Sequence, residues 1–240
     1  QAEILSQVSY SRSPIVFKKA IKNPVEQEGM RYAHVKDAVA MVGFLHWLEN
    51  NWQDGIDEVS AADKLAEFRL QQENLKGFSF ATISGYASNG AIIHYRATAA
   101  TSKVIKDDSL YLLDSGGQYL EGTTDITRTM HLGEPTAEQK RHYTLVLKGH
   151  LALSRSIFVH GTCGENLDVL ARAPLWNEFL NYRHGTGHGV GSFLCVHEGP
   201  QKISQASSGV PLLPGMVVSN EPGLYIDGSH GIRIENLCLV

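Results

Sequence analysis

Four acids in this chain stand where apolar residues would be expected. Asp114 closes the run "LYLLD", and Asp125 follows eleven positions later, past two turns, where a returning strand can face it. Glu221 lies within "VVSNEPGLYI" and Glu235 within "GIRIENLCLV". Each borders or interrupts a run that should be buried, and a buried carboxylate needs a partner. Taken singly, each has a plain explanation: a turn former or cap for the aspartates, a solvated edge strand or a pair with Arg233 for the glutamates. Between the two pairs runs "HGTGHGVGSFLCVHEGP" (184–200), with His184, His188 and His197 among five glycines. Glycine lets a backbone approach another group closely, and histidine offers a metal ligand or a proton carrier near neutral pH. If the four carboxylates converged without cations, they would repel and some would have to protonate. Two divalent ions would neutralise them, and paired ions about 3.5–4 Å apart are a hydrolytic arrangement. One imidazole among four carboxylates is a hard, oxygen-rich donor set that favours manganese-like ions over a thiolate-type zinc site.

The elements that must bring these residues together alternate irregularly. After a mildly basic, irregular lead-in (1–22), Asn23-Pro24-Val25-Glu26 is a helix start, with a capping side chain, proline in the first turn and an acid behind it. Val35, Ala38, Val39, Val42 and Leu45 continue it at helical spacing to about Trp47. A second helix is expected from Ser60, carrying Leu65, Phe68 and Leu70. Residues 77–94 read as short β runs around "ASNGA", and 109–133 as strands folded back through glycine turns. Thr136 with Gln139 forms a capping box for a helix to about Ser156, and another covers about Glu165–Asn181, interrupted or kinked at Pro174. Strands dominate the remainder. The fold class is α+β.

Composition narrows the partners. The 240 residues suffice for a sizeable core, and 42% apolar residues with a net charge of −4 give no electrostatic reason to expect nucleic acid or an anionic membrane. No apolar run reaches the ~20 residues of a membrane span, and no secretory signal opens the chain. Cys163, Cys195 and Cys238 are odd in number and lack zinc-ribbon spacing, which fits structural thiols in a reducing, cytoplasmic setting.

In their order, "DSGGQYLEGTTDITRT", "HGTGHGVG", "NEPGLYI" and "GIRIEN" resemble the metal motifs of the pita-bread metallopeptidases, and within them the aminopeptidase P (Xaa-Pro aminopeptidase) branch in its larger cytosolic form. The resemblance runs from about Ser13 to Val240. It implies a pita-bread fold, antiparallel sheet wrapped by helices with a dinuclear site at its centre. It puts Asp114, Asp125, His188, Glu221 and Glu235 on the metal ligands, and His94, His184 and His197 on the substrate side. The implied reaction releases the residue preceding proline from a peptide with proline at its second position, through a hydroxide held between two ions, most simply Mn2+. Glu221 would act as general base, and His197 and His94 would bind the carbonyl or the developing oxyanion. His184 would help shape the pocket for the proline ring, and a homodimer is compatible with the branch.

Prolidase, which cuts Xaa-Pro dipeptides with the same five ligands, is the nearest alternative. His197 stands nine positions after His188, a longer interval than prolidases typically have. A methionine aminopeptidase fits this local pattern less well. A pita-bread module that binds partners without catalysis is the alternative of another class, and its mark would be a lost ligand; all five are intact. Larger members of the branch carry domains ahead of the catalytic one and continue past the last ligand. Residues 1–22 are therefore expected to be a lead-in from a preceding domain, and 23–240 a catalytic domain cut short at its C-terminal end. Lacking the walls those domains would add, it is expected to bind metal but with a KM raised more than kcat is lowered.

Overall fold

The computed structural model describes Ser11 and residues 13–240; residues 1–10 and Arg12 of the expected lead-in lie outside the described residues. The described part of that lead-in is not irregular. Ser13 accepts a hydrogen bond from the Ile15 amide and starts a short helix, α1 (Pro14–Ala20), with proline in its first turn. Seven residues are too few to show a periodicity, so only the cap could have signalled it.

Helix α2 (Pro24–Asn51) begins at the expected box, where Asn23 and Glu26 exchange side chain-to-backbone hydrogen bonds. It runs four residues past the expected end at Trp47. Asn50 and Asn51 bond back to the carbonyls of His46 and Trp47, and the chain then turns through Gly55 in the left-handed region. The helix carries two apolar stripes, and the packed one is not the one the spacing suggested. Val35, Val39 and Val42 are exposed, while Ala33, Ala40, Met41, Phe44 and Leu48 are buried. Helix α3 (Glu58–Leu70) starts two residues before Ser60, because Ser60 is the third residue of a box capped by Asp57.

Strands β1 (Leu75–Phe78) and β2 (Ile83–Tyr86) follow, and "ASNGA" forms a 3-10 turn, Ala87–Ala91. The glycine-punctuated stretch folds as β3 (Leu110–Ser115), β4 (Gly117–Tyr119), β5 (Gly122–Thr123) and β6 (Ile126–His131). Helix α4 (Ala137–Ser154) uses the Thr136–Gln139 box, and α5 (Gly164–Trp176) carries Pro174 near its end, five residues short of Asn181. The last strands are β7 (Gly187–His188), β8 (Lys202–Ile203), β9 (Val217–Asn220), β10 (Gly223–Ile226), β11 (His230–Arg233) and β12 (Asn236–Leu239).

Every sheet pairing is antiparallel. One sheet has the order β2-β3-β6, and β9 to β12 form one long bent ribbon in which β9 pairs with β12 and β10 with β11. Helices α2 and α3 cover one side, where Phe44, Leu48 and Leu65 pack on Tyr111 and Leu113 of β3. Helices α4 and α5 cover the other, where Val146 and Leu175 pack on Leu110, Leu224 and Ile232. Along β3, therefore, odd positions face α2 and α3, and even positions face the ribbon. Asp114 is an even position. Among the described residues no helix is long and apolar enough to cross a membrane, and the three cysteines are free.

Candidate metal centre

Two bent ribbons bring the acids together. Asp114 pairs in register with Thr127 on β6, and Asp125 sits just ahead of that strand, so the β3–β6 pairing places both aspartates at one end of the sheet. Glu221 and Glu235 occupy the two breaks of the long ribbon, one between β9 and β10, the other between β11 and β12. The breaks face each other, since the register runs Asn220 to Asn236 on one side and Gly223 to Arg233 on the other. The Glu235 amide donates to the Thr127 carbonyl at 3.3 Å, tying the second ribbon to the first beside the aspartates.

His188 arrives on β7, whose glycines explain themselves by distance rather than by left-handed backbone. A Cβ at Gly187 would lie 1.8 Å from the Ser219 carbonyl oxygen, and one at Gly189 2.0 Å from that of Glu198. These glycines let β7 press against β9 and against the loop carrying His197. His188 Nε2 lies 3.4 Å from both Asp125 Oδ2 and Glu221 Oε1. Its Nδ1 sits 2.9 Å from the Gly189 carbonyl, which accepts a hydrogen bond from it and leaves Nε2 as the free lone pair.

All eight residues singled out in the sequence line one cavity of about 650 Å³: Asp114, Asp125, His188, Glu221 and Glu235 with His94, His184 and His197. Asp125, His188 and Glu235 each offer a ligand atom within 4.8 Å of the others'. Glu235 is 1% exposed, which removes the solvated edge strand as its explanation. Arg233 is not its partner either. The guanidinium reaches Asp114 instead, Nη2 to Oδ2 at 2.7 Å, and donates to the Tyr225 hydroxyl through Nη1. Glu235 instead accepts from Thr127 Oγ1 at 2.6 Å, and Glu221 from Ser219 Oγ at 3.0 Å.

One arginine against four carboxylates leaves the charge uncompensated. Burial, with the Asp114 and Glu221 charges, holds Asp125 well above the usual carboxylate range; burial and the same crowd of acids do this to Glu235. Burial pushes Glu221 up to about 7. Asp114 Oδ1 is buried without any hydrogen-bond partner. Carboxylates that cannot ionise alone, a buried orphan acceptor and a free imidazole lone pair fit a divalent ion.

A proton count follows. Acids that keep their protons without metal must release them on binding it. Divalent metal added at pH 6 should release about one proton per chain or more, and fewer at pH 8, read by calorimetry in buffers of different ionisation enthalpy. No release at pH 6 would contradict the crowded-acid picture. Stability has a matching sign. Glu221 favours the folded state fully below about pH 4.5, and that contribution, about 3 kcal/mol, is lost as pH rises through about 7. His184, lowered by burial to about 4, works in reverse: its contribution is full above about pH 6.5 and lost as pH falls through 4.

The remaining histidines surround the acids. His197 stands edge-on to His188, ring centroids 4.2 Å apart, on a loop in which Leu194 and Cys195 both take left-handed backbone. Burial, then the neighbouring His188, lowers its pKa, so it is neutral at pH 7. His184 contacts Tyr225 OH through Nε2 and the Gly185 carbonyl through Nδ1, and packs on Tyr182. Beneath it, Arg172 pairs with Asp168 and donates to the carbonyls of Tyr182 and His184, a buried tie the sequence reading did not pick out. His94 is exposed to the cavity from the opposite wall. Tyr225, Thr127 and Ser219 were also missed, and Arg233 was weighed only as a partner for a glutamate. Arg233 had a signal, since it alternates with Glu235 in "GIRIEN" and so aims at the same side.

Comparison with known proteins agrees with this geometry. The model of metallopeptidase family M24 matches residues 28–240. A probable Xaa-Pro aminopeptidase P of Tuber melanosporum is 56% identical over 233 residues, 95% of this chain and 38% of that protein. Aminopeptidase P1 of Arabidopsis thaliana is 48% identical over 252 residues, 95% of this chain and 39% of that protein. The chain thus spans less than two-fifths of these relatives. Among solved structures, an X-prolyl aminopeptidase from Caenorhabditis elegans, described as a cytosolic enzyme with a di-nuclear active site, superposes with a TM-score of 0.90 at 42% identity, over 94% of this chain and 37% of that one. An Xaa-Pro dipeptidase from Bacillus anthracis gives 0.83 at 30% identity, over 94% and 61%. With the pita-bread fold in place around its acids and a family model covering all but its first residues, the chain belongs to metallopeptidase family M24.

Proposed function

We propose that this chain is the catalytic part of a metal-dependent aminopeptidase that removes the residue preceding proline. The observation that carries the reading is the convergence of four carboxylates and His188 in one cavity, with Asp114 Oδ1 left without a partner. Asp114, Asp125, His188, Glu221 and Glu235 would hold two divalent ions, and the oxygen-rich donor set favours manganese. Bound there, the ions supply Lewis acidity at the scissile carbonyl and a nucleophile at neutral pH.

The chain's own residues do the rest. Glu221, fixed on one oxygen by Ser219, would take up and pass on the proton released on attack. His197 and His94 donate hydrogen bonds to the carbonyl oxygen as it gains charge. With both its nitrogens occupied, His184 offers a ring face to the substrate, which suits a prolyl ring that has no N–H to donate. Free cysteines and the cytosolic relative support a cytoplasmic setting.

Turnover tests the reading. The metal-loaded protein should release the first residue of an Xaa-Pro-Xaa tripeptide and act weakly on the Xaa-Pro dipeptide. Preference for the dipeptide would make it a prolidase. Full metal loading without hydrolysis of either peptide would make it a binding module.

A further inference from the structure

Glu58 is the first residue of α3, fully buried, and the description of the centre leaves it unexplained. Its carboxylate accepts four kinds of donor: the Tyr86 amide at 2.6 Å, Asn89 Nδ2 at 3.0 Å, the Tyr95 hydroxyl at 2.8 Å and the Lys103 amide at 3.0 Å. Its backbone adds two more ties, the amide donating to the Lys103 carbonyl and the carbonyl accepting from Ser84 Oγ. Every carboxylate bond is made to neutral donors, so the charge rests on peptide and side-chain dipoles and on the N-terminal end of α3.

Those donors have one thing in common. They belong to the two ends and the middle of a single segment, residues 86–103, which leaves β2 at Tyr86 and from there on has the 3-10 turn as its regular structure. Within it Tyr95 points inward, 6% exposed, to reach Glu58, while its neighbour His94 projects into the cavity. The Tyr95 amide closes a turn on the Ile92 carbonyl at 3.0 Å, and His94 stands inside that turn, so anchoring Tyr95 fixes the turn that carries His94.

We propose that Glu58 is the positioning residue for His94: by gathering both ends and the centre of this segment, it sets where the imidazole stands above the carboxylates. The inference rests on the reading that His94 faces the substrate. Losing the anchor lets the segment relax by an ångström or so, enough to misplace a group that must meet a developing charge.

The experiment uses the metal-loaded full chain and two readouts. Glu58→Gln keeps the shape but turns one acceptor into a donor among donors; Tyr95→Phe, a milder change, deletes one donor. Glu58→Gln should lower kcat/KM roughly 10–100-fold, and Tyr95→Phe roughly fivefold, at unchanged metal content. On a His94→Ala background each change should cost less than about twofold more, because the residue they act through is gone. Amide exchange should rise in 86–103 and stay unchanged across β3 and β6 in both variants. Equal losses with and without His94, or unaltered exchange in 86–103, would overturn the proposal. If the wild-type chain turns over peptide and His94→Ala is silent, the role given to His94 fails, and with it the positioning of a working group by Glu58. A wild-type chain without turnover strikes the proposed function instead, and the exchange readout still decides whether Glu58 holds the segment.

Discussion

Glu235→Gln should remove bound metal and turnover together. The replacement has the same shape, and its amide can keep the Thr127 contact, so the local fold is preserved. What disappears is the anionic oxygen that, with Asp125 and His188, completes the close ligand cluster. Metal acting as a Lewis acid is worth several kcal/mol at the transition state, so activity should fall by roughly 10³-fold or more. The metal-free protein should respond in the opposite direction. A neutral amide does not have to be desolvated as a charge, so in chelator its Tm should equal or exceed the wild-type value, while the rise in Tm on adding manganese is lost. Asp125→Asn should behave alike. Elemental analysis beside melting curves decides the matter: a variant that keeps its metal and its activity, or one that melts lower in chelator, removes these residues from the ligand set.

His197→Ala should leave the metal in place and lower kcat by roughly 10²–10³-fold, the usual consequence of deleting one oxyanion donor. The residue is exposed to the cavity and touches the cluster only through the ring of His188. Its loss should therefore change stability by no more than about 0.5 kcal/mol. KM should move little, because the hydrogen bond strengthens only as the carbonyl gains charge. Metal lost from this variant would make His197 a ligand, and an unchanged kcat would move the oxyanion elsewhere.

The helix starts were open to reading because capping is a local affair. Asn23 with Glu26 and Thr136 with Gln139 satisfy backbone donors within four residues, and both boxes stand where the sequence put them. Helix faces were not. α2 carries apolar residues on two sides, and Val35, Val39 and Val42 lost to Ala40, Phe44 and Leu48 because the β2-β3-β6 sheet lies against the second stripe. Pro174 was read as a possible kink; it sits inside α5, close to the end of the helix. Seven of the eight chemical residues stood out by type and spacing, since acids inside apolar runs and histidines among glycines are conspicuous without a structure; His94 came only with the family resemblance.

What the sequence determined by itself was therefore the cast: four acids in buried runs, three histidines in and around a glycine-rich loop, and the caps that begin the helices between them. All of these depend on neighbours a few residues away. Tertiary structure alone decided the partners. Arg233 turned to Asp114, 119 positions distant, rather than to Glu235 two positions away, because β11 lies against β3 while Glu235 sits in the break beyond it. Glu58 gathered a segment reaching 45 positions downstream for the same kind of reason. A charged group removed from water takes whichever complementary group the packed elements bring within reach, and that is a property of how ribbons and helices cross, not of the order in which residues are strung.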